Sequence, residues 1–176
     1  DTNYYVSSVL YGGVMSSSIT TLNAMGSQCA GGVMFDIIPK KKLILDSISS
    51  IFNNSGLQTV YIYTKKGSYS GFESNSAKWK FVDSIKINPT SLNSYVKFSL
   101  TKSLSFDKDS TYAIYLNYHS RYTTKSTSTE YSNQDIKVVS GTGLCSKFGG
   151  VNANILFNGQ LFYHYIPECE SERVVY

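Results

Sequence analysis

The sequence predicts an all-β protein: an antiparallel β-sandwich or jelly-roll-like single domain with an N-terminal strand extension. Three observations predict this fold. Apolar residues alternate with polar ones at a period of two, which is typical of strands with one buried face. Turn sequences rich in Gly, Pro, Asn and Asp separate the alternating segments. The chain has 176 residues, 41% of them apolar, which suits a single domain with its own core.

The alternation assigns a buried face to three segments of the chain. These faces are Trp79, Phe81, Ile85 and Ile87; then Val96, Phe98 and Leu100; then Tyr112, Ile114, Leu116 and Tyr118. Further strands are predicted at 31–38, 43–53, 58–64, 134–140 and 154–165. The segment 16–29 is rich in small residues and has no clear period, so it is predicted to be a loop or linker. The predicted core contains Phe35, Ile37, Ile62, Trp79, Phe81, Ile85, Phe98, Ile114 and Leu116.

Charge and hydropathy exclude two classes of partner. The net charge is +4, but the basic residues are mostly single lysines, with one short run at 40–42 and only two arginines. A nucleic-acid-binding protein concentrates its basic residues on one face, so no nucleic-acid partner is expected. The longest apolar run, 112–116, is far shorter than the roughly 20 residues of a membrane span. The polar, weakly charged composition favours an extracellular or cell-surface protein.

The sequence carries no catalytic or metal-binding signature. His119 and His164 are isolated, and the cysteines lack the paired spacing of zinc ligands. Residues 107–110 place oxygen ligands at alternate positions but lack the glycine and the later glutamate of a calcium loop, which favours a polar turn. A G-x-S-x-G nucleophile motif is absent from the sequence. We expect neither an enzyme nor a bound cofactor.

The three cysteines allow one disulfide with a spare thiol, or no disulfide. In an oxidising compartment we predict a bond between Cys29 and Cys145, because both lie in glycine-rich segments beside predicted strands. Cys169 would then be the spare thiol. The sequence Asn-Asn-Ser at 53–55 makes Asn53 a candidate glycosylation site.

Tyrosine is abundant in the sequence, with 15 residues. Flat aromatic faces with polar tips suit sugar stacking or protein interfaces. The alternative interpretation, which we favour, is cross-strand packing on a sheet face. The tyrosines concerned are Tyr61, Tyr63, Tyr69, Tyr115, Tyr118, Tyr122, Tyr163 and Tyr165.

Several short motifs follow one another in a fixed order. They are GGVMFDI at 31–37, VYIYTKKGSYSGFE at 60–73, Trp79, YAIYL at 112–116, YSN at 131–133, TG at 142–143 and FNGQLFY at 157–163. This order resembles a β-sandwich module that recurs in secreted and cell-surface bacterial proteins, and GSYSGFE is its most specific part. The resemblance implies a compact building block of surface proteins without assigned catalysis. It divides the chain into an N-terminal strand and linker (1–25), the module (26–165) and a C-terminal tail (166–176).

The N-terminal extension suggests a mode of assembly. Residues 3–11 have strand propensity and precede a flexible stretch, 12–26, as β-strand addition to a neighbouring sheet edge requires. Such head-to-tail contacts form filaments unless they close into rings. The leading hypothesis is therefore a secreted, self-assembling structural subunit of a filament or surface layer. Two alternatives stay open: the strand completes its own sandwich, or the protein is a glycan-binding adhesive module. The candidate assembly residues are Tyr4, Tyr5, Val6, Val9 and Leu10.

Overall fold

Nineteen β-strands and one short 3-10 turn, Ser76–Lys78, make up the regular structure of the described residues. The computed structural model describes residues 5–6, 9–21, 28–29, 31–52, 55–91, 95–118, 120–121, 123–124, 130–153, 155–170 and 174–175. In chain order the strands are β1 (Tyr5–Val6), β2 (Val9–Tyr11), β3 (Met15–Thr20), β4 (Gln28–Cys29), β5 (Gly32–Pro39), β6 (Leu43–Ile51), β7 (Gln58–Lys66), β8 (Lys80–Ile87), β9 (Tyr95–Phe106), β10 (Tyr112–Asn117), β11 (Ser120–Arg121), β12 (Thr123–Thr124), β13 (Glu130–Ser132), β14 (Ile136–Ser146), β15 (Gly149–Ala153), β16 (Ile155–Leu156), β17 (Gly159–Tyr165), β18 (Glu168–Glu170) and β19 (Val174–Val175).

Two antiparallel sheets pack face to face and form the body of the molecule. The larger sheet has seven strands in the order β13-β14-β5-β10-β7-β8, with β15 also paired to β14. The smaller sheet has four strands in the order β3-β17-β6-β9. The predicted antiparallel β-sandwich is confirmed.

The main core lies between the two sheets. Phe35 and Ile114 from the larger sheet and Ile48 and Leu161 from the smaller one are fully buried there. The Phe35 ring stacks on Phe157, with the ring centroids 4.4 Å apart. The apolar area removed from water in this layer is the main favourable contribution to folding.

A second apolar cluster covers the outer face of the larger sheet. Because side chains alternate along a strand, Met34, Tyr63 and Tyr115 point away from the main core. They pack with other buried side chains, and the outer cluster consists of Met34, Tyr63, Trp79, Ala113, Tyr115 and Leu144, with Tyr69 and Phe148 against it. The central strands of the larger sheet are therefore buried on both faces. This explains why β5 is almost continuously apolar.

Seven of the nine predicted core residues are buried, although Trp79 lies in the outer cluster. Ile85 is half-buried and packs against the main core. The prediction for Phe81 is wrong, since its side chain is 49% exposed. The pairing of β7 with β8 shifts at this point and leaves Val82 as an extra residue. This β-bulge reverses the alternation, so that Val82 enters the core and Phe81 turns outward.

The linker expected between residues 12 and 26 contains a strand. β3 forms the edge of the smaller sheet and pairs with β17, in a register that places Ile19 opposite Leu161. Ile19 is the only buried apolar residue of β3. Just after the strand, the Thr21 hydroxyl donates to the carbonyl oxygen of Phe157 at 2.6 Å. An edge strand with one buried apolar side chain shows no period in its sequence.

Candidate functional site

The first two and the last two described strands form two short antiparallel pairs, which together we call the terminal ribbon (β1, β2, β18 and β19). β1 pairs with β19, and β2 pairs with β18. The ribbon joins the smaller sheet through a hydrogen bond from the Gly12 N–H to the Pro167 carbonyl, at 2.9 Å. The paired residues are Tyr5 with Val175, Val6 with Val174, Val9 with Glu170, Leu10 with Cys169 and Tyr11 with Glu168.

Four of the five predicted assembly residues therefore lie in strands, and Tyr4 lies outside the described residues. Their partner strand is the C-terminal segment of the same chain. This segment was predicted only to be a C-terminal tail, and its pairing with the N-terminal strands was not predicted. The sequence feature that indicates a strand in this segment is the β-branched pair Val174 and Val175.

Each strand of the terminal ribbon has one partner strand within the described part of the chain. Along its opposite edge, none of these strands pairs with another described strand, and unpaired strand edges are templates for pairing with another chain. The residues that connect the ribbon to the smaller sheet, Gly12, Gly13 and Val14, are exposed. A Cβ atom added at Gly13 would meet nothing within 4 Å. The ribbon is therefore joined to β3 by a short, loosely packed connection.

Exposed apolar side chains surround the base of the terminal ribbon. Val14 is 63% exposed, Met15 is 50% exposed and Ile166 is 49% exposed. Met15 pairs with Tyr165, so all three lie where the ribbon leaves the sandwich. Such a group of apolar side chains fits a surface that another molecule covers.

The motif residues meet on the outer face of the larger sheet. The Asp36 carboxylate accepts hydrogen bonds from the Ser68 hydroxyl at 2.5 Å and from the Tyr69 backbone N–H at 2.9 Å. The Trp79 indole N–H donates to the carbonyl oxygen of Phe72 at 2.9 Å. Asp36 of the first motif and Trp79 thus hold the GSYSGFE segment in place over the outer cluster.

Asp36 is buried, and this burial raises the pKa of its carboxyl group. The hydrogen bonds from Ser68 and Tyr69 and the charge of Lys65 work in the opposite direction. Both carboxylate oxygens accept hydrogen bonds from the loop. The contacts of Asp36 are those of a residue that anchors this loop.

The tyrosines of the larger sheet pack across strands, as the favoured interpretation predicts. Tyr63 and Tyr115 are paired residues of β7 and β10, and their stacked rings have centroids 5.6 Å apart. Tyr118 and Tyr163 are buried in the main core. Tyr61 is 39% exposed. The other predicted tyrosines are half-buried, except Tyr122, which lies outside the described residues.

The structure brings none of the described isolated candidates into contact with one another. His164 contacts Asp46, with Nδ1 2.8 Å from Oδ1, and His119 lies outside the described residues. Residues 107–110 form the expected polar turn, in which Asp107 accepts a hydrogen bond from the Tyr112 hydroxyl at 3.0 Å. No group of three or more His, Cys, Asp or Glu side chains that could hold a metal occurs among the described residues.

Cys145 lies in β14, and its exposed side chain forms no disulfide with a described residue. The side chain of Cys29 lies outside the described residues, so the predicted disulfide stays a prediction. The backbone brings the two segments together, because the Gly31 N–H donates to the Leu144 carbonyl at 2.8 Å. Asn53, the predicted glycosylation site, also lies outside the described residues.

Comparisons with known proteins do not assign the chain. No known protein family matches it, and no curated protein sequence does either. In the described part of the chain, none of the helical structure is long and apolar enough to cross a membrane. The resemblance to a bacterial surface module therefore stays a prediction.

Proposed function

We propose that the protein is an extracellular structural subunit that assembles head to tail by exchanging one strand of the terminal ribbon between neighbouring copies. The observation that carries this proposal is the pairing of β1 and β2 with β19 and β18. The same register is available to strands from two different chains. Exchange then replaces each ribbon hydrogen bond by an equivalent one, so the backbone pairing energy is nearly unchanged.

The connection between β2 and β3 fixes the geometry of the exchange. Residues 12–14 span at most about 10 Å when extended, because each residue adds roughly 3.3–3.6 Å. A copy that donates its N-terminal strand must therefore bring its own sandwich against that of its neighbour. This contact would cover the exposed side chains of Val14 and Met15. The burial of these apolar surfaces favours the exchanged form.

Each copy offers one N-terminal strand and one C-terminal strand. When each copy donates its N-terminal strand to the next copy and accepts one from the previous copy, the contact is heterologous. Such contacts continue into a filament unless they close into a ring. Reciprocal exchange between two copies would instead give a closed dimer. Negative-stain electron microscopy distinguishes a filament from a dimer.

A disulfide trap tests the exchange directly. Leu10 lies opposite Cys169 in the ribbon, and Cβ atoms of opposite residues are about 4.5–5.5 Å apart. We would introduce Leu10→Cys into a chain in which Cys29 and Cys145 are replaced by serine. At high concentration, oxidation should give a ladder of linked chains on non-reducing electrophoresis. The control carries Leu10→Cys together with Cys169→Ser and should give no ladder.

The trap can also contradict the proposal. If the linked product is a single chain at every concentration, and light scattering of the unmodified protein gives the monomer mass, the ribbon belongs to one molecule only. Deletion of residues 1–11 provides an independent test. It should leave a folded, monomeric sandwich, because the main core is built from residues 19–163. Loss of the folded state on deletion would mean that the ribbon is part of the fold.

A further inference from the structure

A basic pocket lies at the end of the sandwich where the terminal ribbon begins. It has a volume of about 390 Å³, within the usual range of small-ligand sites. Three parts of the chain far apart in sequence form it: the turn between β5 and β6, the turn between β9 and β10, and the end of β17 with the two residues that follow it. The lining residues are Lys40, Lys41, Lys42, Lys108, Tyr165, Ile166 and Pro167.

Lys41 is held in a fixed position in the pocket wall. Its ammonium group lies 2.7 Å from Oδ1 of Asp135, whose side chain is completely buried. The same group lies over the Tyr165 ring, 4.0 Å from the ring centroid. Asp135 neutralises the charge of Lys41. The binding capacity of the pocket therefore depends on the other three lysines.

Those three lysines have little compensating negative charge. Lys40 is bound by two neutral oxygen atoms, the Ser132 hydroxyl at 2.7 Å and the Asn133 carbonyl at 2.5 Å. Lys42 is exposed. Lys108 lies 4.0 Å from Asp109, and both side chains are largely exposed, which makes this a weak pair.

No acidic residue is among the lining residues of the pocket. The remaining lining residues are Tyr165, Ile166 and Pro167, and Ile166 is 49% exposed. The pocket thus combines a cluster of ammonium groups with a hydrocarbon surface. That combination suits a ligand that carries an anionic group on a partly apolar ring.

We propose that this pocket binds the sulfate or carboxylate groups of an acidic polysaccharide. The lysines would pair with the anionic groups, and the C–H face of a sugar ring would pack against Ile166 and Pro167. A polynucleotide would require a longer basic surface with arginine contacts, whereas this cluster is local and contains only lysine. The proposal goes beyond assembly and does not depend on it.

Titration calorimetry with heparin, a sulfated polysaccharide, tests the proposal on the full chain. The double variant Lys42→Gln/Lys108→Gln should weaken binding about tenfold, since each removes one exposed charge contact. The matched control, Lys80→Gln/Lys86→Gln, changes the net charge equally on two exposed residues of β8 and should change affinity less than twofold. Lys41 is left intact because it neutralises a buried carboxylate. Thermal unfolding of both variants shows that they are folded.

Further titrations identify the source of the anionic group. Inorganic sulfate at the same concentration of anionic groups should bind at least tenfold more weakly than heparin, and neutral dextran should not bind. If free sulfate bound as tightly as heparin, the pocket would be a general anion site and the proposal would be overturned. Equal affinity for single-stranded DNA, or equal losses in the pocket and control variants, would also overturn it.

Discussion

Replacing Phe35 by alanine should cost much more free energy of unfolding than the same replacement at Phe81. The two substitutions remove identical atoms from opposite faces of the larger sheet. Phe35 is completely buried in the main core and stacks on Phe157, with centroids 4.4 Å apart. Phe81 is 49% exposed, and its ring meets Tyr63 edge-on at 5.6 Å.

The expected magnitudes follow from this difference in burial. Truncation of a buried phenylalanine typically costs about 3–5 kcal/mol, because a cavity remains between the sheets. At Phe81 half of the side chain is already in water and no closed cavity forms, so we expect about 1 kcal/mol. For a chain of this size, each kcal/mol lowers Tm by about 2–4 °C. Phe35→Ala should then lower Tm by roughly 6–20 °C and Phe81→Ala by only a few degrees.

Urea unfolding followed by far-UV circular dichroism measures both variants against the unmodified protein. The fluorescence of Trp79, the only tryptophan of the chain, provides a second probe in the outer cluster. Equal losses for the two variants, or a larger loss for Phe81→Ala, would refute the reasoning. Such a result would place Phe81 in the core, as uninterrupted alternation along β8 predicts.

Asp36→Asn should remove a pH dependence of stability. Burial raises the pKa of Asp36, so its contribution is fully present below the unfolded value of 3.8 and decreases as pH rises through the folded pKa. Urea unfolding between pH 3 and 7 should show this decrease only with aspartate present. Lys41→Met should cost about 1–3 kcal/mol at pH 7 by the same assay, because the buried Asp135 carboxylate loses its positive partner and keeps only hydrogen bonds such as that from the Tyr163 hydroxyl, and a neutral effect would contradict this. Peptide mapping under non-reducing conditions should find Cys29 linked to Cys145, and a different link from Cys145 would contradict that pairing.

The fold could be predicted from the sequence because, in most central strands, buried apolar residues alternate with outward-facing ones. Ile62 and Ile114 alternate with outward-facing residues, and their burial could be predicted from the period alone. Phe81 could not be placed, because the bulge at Val82 depends on how β8 pairs with β7. β3 could not be predicted either, since a short edge strand depends on its partner and has little pattern of its own.

The candidate sites were less predictable than the fold. The run of lysines at 40–42 is visible in the sequence, but Lys108 and Tyr165 join it only after both sheets have formed. The N-terminal strand was predicted from its propensity, whereas its pairing with β18 and β19 was not. Both features depend on contacts between residues more than 50 positions apart, and local patterns carry no information about such contacts.

The position of β17 in the smaller sheet has a consequence for synthesis. β17 lies between β3 and β6, so it joins two strands that are made more than 100 residues earlier. Until Leu161 and Tyr163 have been synthesised, β6 lacks its neighbouring strand β17. β3 then has no described strand to pair with. Non-local pairing of this kind is slow and leaves hydrophobic surface open to other chains. The smaller sheet should therefore close only after this segment has been synthesised.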